Sequence, residues 1–307
     1  MLFSNFKKYK LGIENASIKS MEQYEETLNR FYNFFGENLN NDEFIKKVKV
    51  NNVKNFIEYL SNNKKEPTTR NKYLSVIKSF YKYLYSEENI NIDTKIFLIK
   101  KAKTNYKEPL WLQDGEVKDF IKSIKDIRTK AMISMLYYTG IRYSELANIT
   151  MLDFLNGKAI ITGKGNKQRF IYFENEDLKE NVANYILTKR LKIVAKTKTN
   201  SELLFINNNG NKVIAQNFIR TLKQCAKEYG KLDRGNEMSP HKLRHSFITN
   251  ALLNGEPIAV VRDAVGHSNI SITNNYAHST QKSIKNLMNN KEKGEILEDE
   301  REIFGFN

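Results

Sequence analysis

The sequence predicts a mostly α-helical chain with a small β-hairpin sheet, split into a helical N-terminal domain and a mixed α/β C-terminal one. Three observations predict it. Apolar residues recur at three- and four-residue spacing between about residues 18 and 100, the mark of helices that bury one face. A basic stretch without hydrophobic period, Lys100 to Pro109, interrupts that pattern and reads as a linker. Alternation of apolar and polar residues is confined to the stretch from Asp153 to Phe173.

Taken in order, Met21, Tyr24, Leu28, Phe31, Tyr32 and Phe35 mark a first helix face, and Val53, Phe56, Ile57 and Leu60 a second. After Pro67, Thr68 is a possible cap for a third helix carrying Tyr73, Leu74, Ile77, Phe80, Tyr81 and Leu84. These aromatics read as core. Arg70, Lys72, Lys78 and Lys82 are left for the polar surface, with Arg70 and Lys72 as candidate binding residues there. Beyond the linker, Asp114 can cap a helix through Val117, Phe120, Ile121 and Ile124, and a second helix ends at Gly140. Lys158–Thr162 and Arg169–Phe173 read as strands joined by the loop Gly163–Gln168. Helices follow at about 177–196 and 213–229, with a short strand from Leu203 to Ile206 between them. Two more, at about 241–254 and 257–264, end at Gly255 and Gly266. The resulting division is 1–100 helical, 101–109 linker, 110–290 mixed, and 291–307 an acidic tail.

At 307 residues the chain can bury two cores, and 40% hydrophobic with 28% charged residues excludes a disordered chain. No apolar run approaches the roughly 20 residues that span a bilayer. The basic N-terminus has no apolar segment behind it, so no signal peptide is expected and the cytoplasm is the predicted compartment. The single cysteine, Cys225, excludes an internal disulfide framework and CxxC chemistry. Net charge is +15, and it is spread: residues 1–107 carry 20 Lys+Arg against 12 Asp+Glu, residues 108–290 carry 27 against 17, and residues 291–307 carry 3 against 6. Two basic domains favour a long polyanion over a small acidic substrate. An Asn-, Ile- and Lys-rich composition is a second source of that charge.

All four histidines, His241, His245, His267 and His278, fall between Ser239 and His278. Three chemistries compete for them. His241 and His245 have the i, i+4 spacing of a zinc pair, but Lys242, Leu243 and Arg244 lie between them and no cysteine is near, which opposes a metal. Burial in a core accounts for His245 and His278, yet leaves unexplained His241 and Arg244 one turn apart, and a tyrosine nine residues beyond His267. Phosphoryl transfer accounts for the set. Arginines grip a phosphate with planar donors, histidines move protons near neutral pH, and cations make a tyrosine phenolate usable as a nucleophile. That chemistry needs no metal and no cofactor.

Thr139-Gly140-Ile141-Arg142-Tyr143-Ser144-Glu145-Leu146, Gly163-Lys164-Gly165, His241-x-x-Arg244, Val265-Gly266-His267 and Asn275-Tyr276 occur in that order, and in this the chain resembles the tyrosine recombinases, the phage-integrase and Xer class. Valine for leucine before Gly266 is a mild departure from the family pattern. The likeness is strongest over about 110–280 and looser before it. It implies a two-domain tyrosine recombinase, a helical, SAM-like core-binding domain plus a mixed α/β catalytic domain that together clamp double-stranded DNA. On that resemblance Arg142, Arg244 and His267 would bind and polarise the scissile phosphate. Lys164 would protonate the departing 5′ hydroxyl, His241 would exchange a proton near the nucleophile, and Tyr276 would form a 3′-phosphotyrosyl link. Lys167 and Arg169 follow on the hairpin as DNA contacts or as a solvated strand edge. Glu145 either orients Arg142 or caps its helix, and Tyr143 reads as packing.

The same resemblance implies a tetramer, of one chain or two, on two inverted-repeat recombination sites. A short amphipathic segment at Ser283–Met288 is a candidate for docking on a neighbour. The expected function is a site-specific DNA recombinase, Xer-like or an integrase of a mobile element. The alternatives are a type IB topoisomerase-like nicking and resealing enzyme, a non-catalytic DNA-binding regulator on the same fold, and a helical protein-interaction module.

Overall fold

The computed structural model describes residues 1–104, 110–163 and 168–266. The chain falls into two units, Met1–Lys107 and Glu108–Asn307. Lys164, Lys167, His267, Tyr276, His278, the 283–288 segment and the acidic tail lie outside the described residues. Among the described residues no helix is long and apolar enough to cross a membrane.

In the first unit, α1 (Leu2–Gly12), α2 (Ile18–Asn33), α3 (Asp42–Lys47), α4 (Val50–Asn62) and α5 (Pro67–Ser86) surround an aromatic core. The amphipathic spacing explains α2. Met21, Leu28, Phe31 and Tyr32 are buried, and Ser17 caps the helix by accepting from the Ser20 amide at 3.1 Å, worth about 1 kcal/mol. Phe6, Phe31, Phe56 and Phe80 are fully buried, each contributing roughly 1.5–3 kcal/mol of transfer free energy. The buried Tyr32 and Tyr81 hydroxyls meet at 2.8 Å, and Tyr81 donates on to the Ile45 carbonyl, so neither phenol is left unpaired in the core.

Three details differ from the sequence reading. The lysine-rich N-terminus forms α1, which buries Leu2 and Phe6 on one face. Pro67 takes the first position of α5 and Glu66 its cap, two residues ahead of Thr68, as proline's fixed φ favours. Lys78 is not left on the surface: its Nζ donates to the carbonyls of Phe97 and Ile99, at 2.7 and 2.6 Å, at the end of a 3₁₀ turn over Thr94–Leu98. Asn71 then bonds both the amide and the carbonyl of Ala102, so the chain stays fastened to α5 until that residue.

The second unit is organised around α7 (Ile127–Thr139), which is buried on nearly every side. Against it pack α6 (Asp114–Ser123), α10 (Glu176–Tyr185) and α13 (Pro240–Leu253). Two short helices, α8 (Tyr143–Leu146) and α9 (Met151–Leu155), lead into an antiparallel hairpin of β1 (Lys158–Thr162) and β2 (Gln168–Tyr172). Its register pairs Ala159 with Ile171 and Ile161 with Arg169. Alternation therefore puts Ala159, Ile161, Arg169 and Ile171 on the inner face and Ile160, Phe170 and Tyr172 on the exposed one. The remaining helices are α11 (Leu191–Thr197), joined to α10 by one π turn, α12 (Ala215–Tyr229) and α14 (Ile258–Val265).

The expected strand at 203–206 is present only as two isolated bridges, Thr150 to Leu203 and Ile206 to Lys212. Buried Arg190 takes up the carbonyls of Ser201, Leu203 and Leu204 there, which stands in for a strand partner. Gln113, not Asp114, caps α6. The Asp114 carboxylate instead accepts from Tyr137 Oη at 2.5 Å and pairs with Lys118. Tyr137 Oη in turn accepts from Asn250 of α13, whose amide also reaches the Leu112 carbonyl, a polar seam that fixes α13 along α7. The mostly helical, two-part architecture with one hairpin is that expected from the sequence.

Candidate active site

The site grows out of two helix ends. The first is the C-terminus of α7, where Gly140 turns the chain with φ +60°. No other residue fits there, because a Cβ would sit 2.5 Å from the ring of Phe247. The second is the C-terminus of α14, where Gly266 turns with φ +66°. Both ends present carbonyls and the negative pole of a helix dipole, so they attract cations.

Arg244 joins them. It comes from α13, is 1% exposed, and donates from Nη1 to the Gly140 carbonyl and from Nη2 to the Val265 carbonyl, each at 2.5 Å. Arg142 follows the Gly140 turn as the N-cap of α8 and reaches the neighbouring carbonyl, with Nη2 3.2 Å from that of Gly266. Two guanidinium groups from distant parts of the sequence thus hold adjacent peptide carbonyls. Arg142 keeps 38% of its side chain exposed, so its outer face is open to a ligand.

Glu145 sets the pose of Arg142. Its carboxylate accepts from the Arg142 amide at 2.8 Å and from Arg142 Nη1 at 2.9 Å, so it both caps α8 and orients the guanidinium. Burial alone would raise its pKa, but Arg169 and Arg142 outweigh that and hold the carboxyl below the usual range. It is therefore an anion at neutral pH.

Arg169 is placed differently from either sequence reading of it as a DNA contact or a solvated edge. Its side chain is 10% exposed, and its guanidinium meets both oxygens of Glu145, at 3.2 and 2.7 Å, while Nε donates to the Ala264 carbonyl at 3.1 Å. The signal was present in the alternation. Arg169 shares a strand face with Ile171, and an arginine on a buried face needs a carboxylate partner.

His241 stands near the start of α13, after Pro240, one turn from Arg244. Although much of its surface is exposed, partial desolvation and the cations Arg244, Arg142 and Lys242 pull its pKa below the ordinary histidine value. It is consequently neutral at pH 7 and able to accept a proton. Tyr143 packs its ring on Phe218, with centroids 5.3 Å apart, and donates to the Val213 carbonyl, a packing role. Arg70, in the first unit, donates to Ser61 Oγ at 2.8 Å, and Lys72 is exposed on α5. Of the predicted catalytic set the described residues bring together Arg142, His241 and Arg244; Lys164, His267 and Tyr276, like Lys167, lie outside them.

His245, one turn beyond His241, is buried, with Nδ1 3.4 Å from Thr249 Oγ1. Burial, then Lys242 and His241, pushes its pKa down to about 4. Between the unfolded value near 6.5 and that folded value, the unfolded chain binds a proton that the folded chain refuses. The stabilising contribution is therefore complete above pH 6.5 and lost as pH falls towards 4, by about 3 kcal/mol. Urea unfolding at pH 7 and pH 4.5 is expected to show a stability loss that a His245→Gln variant lacks by about 2 kcal/mol. An equal pH dependence in both proteins would refute the assignment to His245.

Comparisons with known proteins bear on the family of the chain and on its fold. A model of the phage integrase family matches residues 110–283, and a model of the phage integrase N-terminal SAM-like domain matches residues 4–88. The tyrosine recombinase XerC of Natranaerobius thermophilus is 30% identical over 293 residues, 93% of this chain and 96% of that protein. Among solved structures, the Tn1549 transposon integrase in complex with circular intermediate DNA superimposes with a TM-score of 0.71 at 20% identity, covering 94% of this chain and 98% of that one. The XerH site-specific recombinase bound to palindromic difH substrate gives 0.70 at 20% identity, over 93% and 84% of the two chains. With a family match over more than half its length, a relative alike from end to end, and paired arginines at the matching motifs, the chain belongs to the phage integrase family and is a tyrosine site-specific recombinase.

Proposed function

We propose that Arg142, Arg244 and His267 bind the scissile phosphate of double-stranded DNA and that Tyr276 is the nucleophile. The Tyr276 oxygen attacks phosphorus and gives its proton to His241. The bond from phosphorus to the 5′ oxygen breaks, and that oxygen takes a proton from Lys164. A 3′-phosphotyrosyl link and a free 5′ hydroxyl remain. Attack by the 5′ hydroxyl of another strand reverses the step, rejoins the DNA and releases the tyrosine, so no external energy source is needed. The observation that carries this reading is the pair of guanidinium groups on the adjacent carbonyls of Val265 and Gly266, beside a neutral His241.

In this reading residues 1–100 are the core-binding domain, with Arg70 and Lys72 as its DNA contacts, 101–109 the linker and 110–290 the catalytic domain. Four copies act on two inverted-repeat sites in the cytoplasm. The basic balance of both units supports a DNA partner, as do the DNA-bound neighbours above. The test is to incubate the protein with fragmented host DNA, trap covalent complexes, and sequence the attached ends. Adducts at a few short inverted repeats, carried on Tyr276 in the digested protein and unaffected by EDTA, are expected. Adducts scattered over unrelated sequences would replace site-specific recombination with topoisomerase-like nicking. Tight binding without adducts would indicate a regulator, and loss of cleavage in EDTA that zinc restores would sink the mechanism.

A further inference from the structure

We propose that Arg169 is a positioning residue for strand cleavage, acting by neutralising Glu145 so that the charge of Arg142 stays available to the phosphate. This rests on the reading of Arg142 as a phosphate ligand.

One carboxylate lies between two guanidinium groups. Oε1 of Glu145 accepts from Arg142 Nη1 at 2.9 Å and Arg169 Nη1 at 3.2 Å, and Oε2 from the Arg142 amide at 2.8 Å and Arg169 Nη2 at 2.7 Å. The three groups carry a net charge of +1. Arg169 is the more buried cation, at 10% side-chain exposure against 38% for Arg142, and its forked, two-bond contact is the stronger geometry. Glu145 is therefore compensated from inside the protein, and the excess positive charge falls on Arg142 at the surface.

The surroundings hold Arg169 in that pose. Its Nε donates to the Ala264 carbonyl, and Gly266, lacking a side chain, lets the guanidinium lie against the backbone: a Cβ there would stand 3.0 Å from Nη1. The strand register points the side chain inward beside Ile161. Without Arg169, the same carboxylate would have Arg142 alone as its counter-ion among these groups. The pair would then be neutral and the pull on developing phosphate charge weaker.

That effect is felt more in the transition state than in the bound complex. The scissile phosphate is one of many contacted by a basic protein, while its charge is what the reacting atoms redistribute. The experiment uses the full chain and a nicked duplex bearing the site to which adducts map, with cleavage at saturating protein, affinity and salt dependence all measured. Arg169→Gln is expected to slow cleavage about 10–100-fold while affinity changes less than about twofold and the salt slope is unaltered. Adding Glu145→Gln, which removes the uncompensated anion, is expected to recover at least about threefold of that rate. The recovery also guards against a variant that is merely unstable.

Arg142→Gln separates this proposal from the reading beneath it. If Arg142→Gln is slow and Arg169→Gln cleaves normally, the positioning role is overturned and the phosphate role of Arg142 stands. If Arg142→Gln cleaves normally, the phosphate reading itself fails. Weaker binding in Arg169→Gln, with a salt slope lower by about one and an unchanged saturated rate, would make Arg169 a DNA contact and overturn the proposal.

Discussion

A Tyr276→Phe protein is expected to bind its DNA with the affinity of the parent and to form no covalent adduct. The substitution removes one oxygen and leaves the ring. That oxygen is the atom that would bond to phosphorus, and no other group in the proposed mechanism can take its place. An unperturbed tyrosine has a pKa of about 10 and is a poor nucleophile at pH 7. Cations make its phenolate accessible, and the described part of the site is strongly cationic: Arg142 and Arg244 stand together, with Lys242 next to His241 in sequence. The neutral state of His241 suits it to take the phenolic proton. Cleavage should fall by at least about 10⁴-fold, to below detection. A labelled nicked duplex and a denaturing gel measure it directly. An adduct that persists in Tyr276→Phe would show that another residue is the nucleophile.

How far the sequence reaches depends on the range of the interaction. Local periodicity disclosed α2, α4 and α5, because each buries a face whose residues are three or four apart. The same rule passed over α1, where Leu2 and Phe6 are set among lysines, and α8 and α9, which are too short to show a period. The hairpin was legible to within a residue because alternation and a Gly-Lys-Gly loop coincide. Order and spacing of motifs name Arg142, His241 and Arg244 as candidates, and the fold brings those three together. Order and spacing were not enough to show what each arginine rests on. Glu145 and Arg169 are far apart in sequence; the alternation sets Arg169 on the inner strand face, but only the fold reveals that Glu145 is its partner in a largely buried pair. Nor does a His-x-x-Arg spacing disclose that Arg244 is almost wholly buried, since the carbonyls it holds come from helix ends distant in the chain.

That burial makes Arg244 the residue whose loss should damage both fold and chemistry. Arg244→Ala leaves the Gly140 and Val265 carbonyls without this donor at two buried helix ends and opens a cavity the size of the side chain. At roughly 1–3 kcal/mol for each unsatisfied group, plus the cavity, a loss of about 3–5 kcal/mol is expected in urea unfolding. Arg244→Lys divides the two roles. An ammonium can stay beside one carbonyl and keep the positive charge at the helix ends, so stability should drop by only about 1–2 kcal/mol. It cannot span both carbonyls and present a planar fork to a phosphate, so cleavage should still fall by about 10²-fold or more. Arg142→Lys makes the comparison sharp. Its side chain is exposed enough that stability should change by less than about 1 kcal/mol, while cleavage falls to a similar degree. If Arg244→Lys cleaved at the parental rate, Arg244 would be a structural brace between α7 and α14, and the grip on the phosphate would belong to Arg142 and its partners alone.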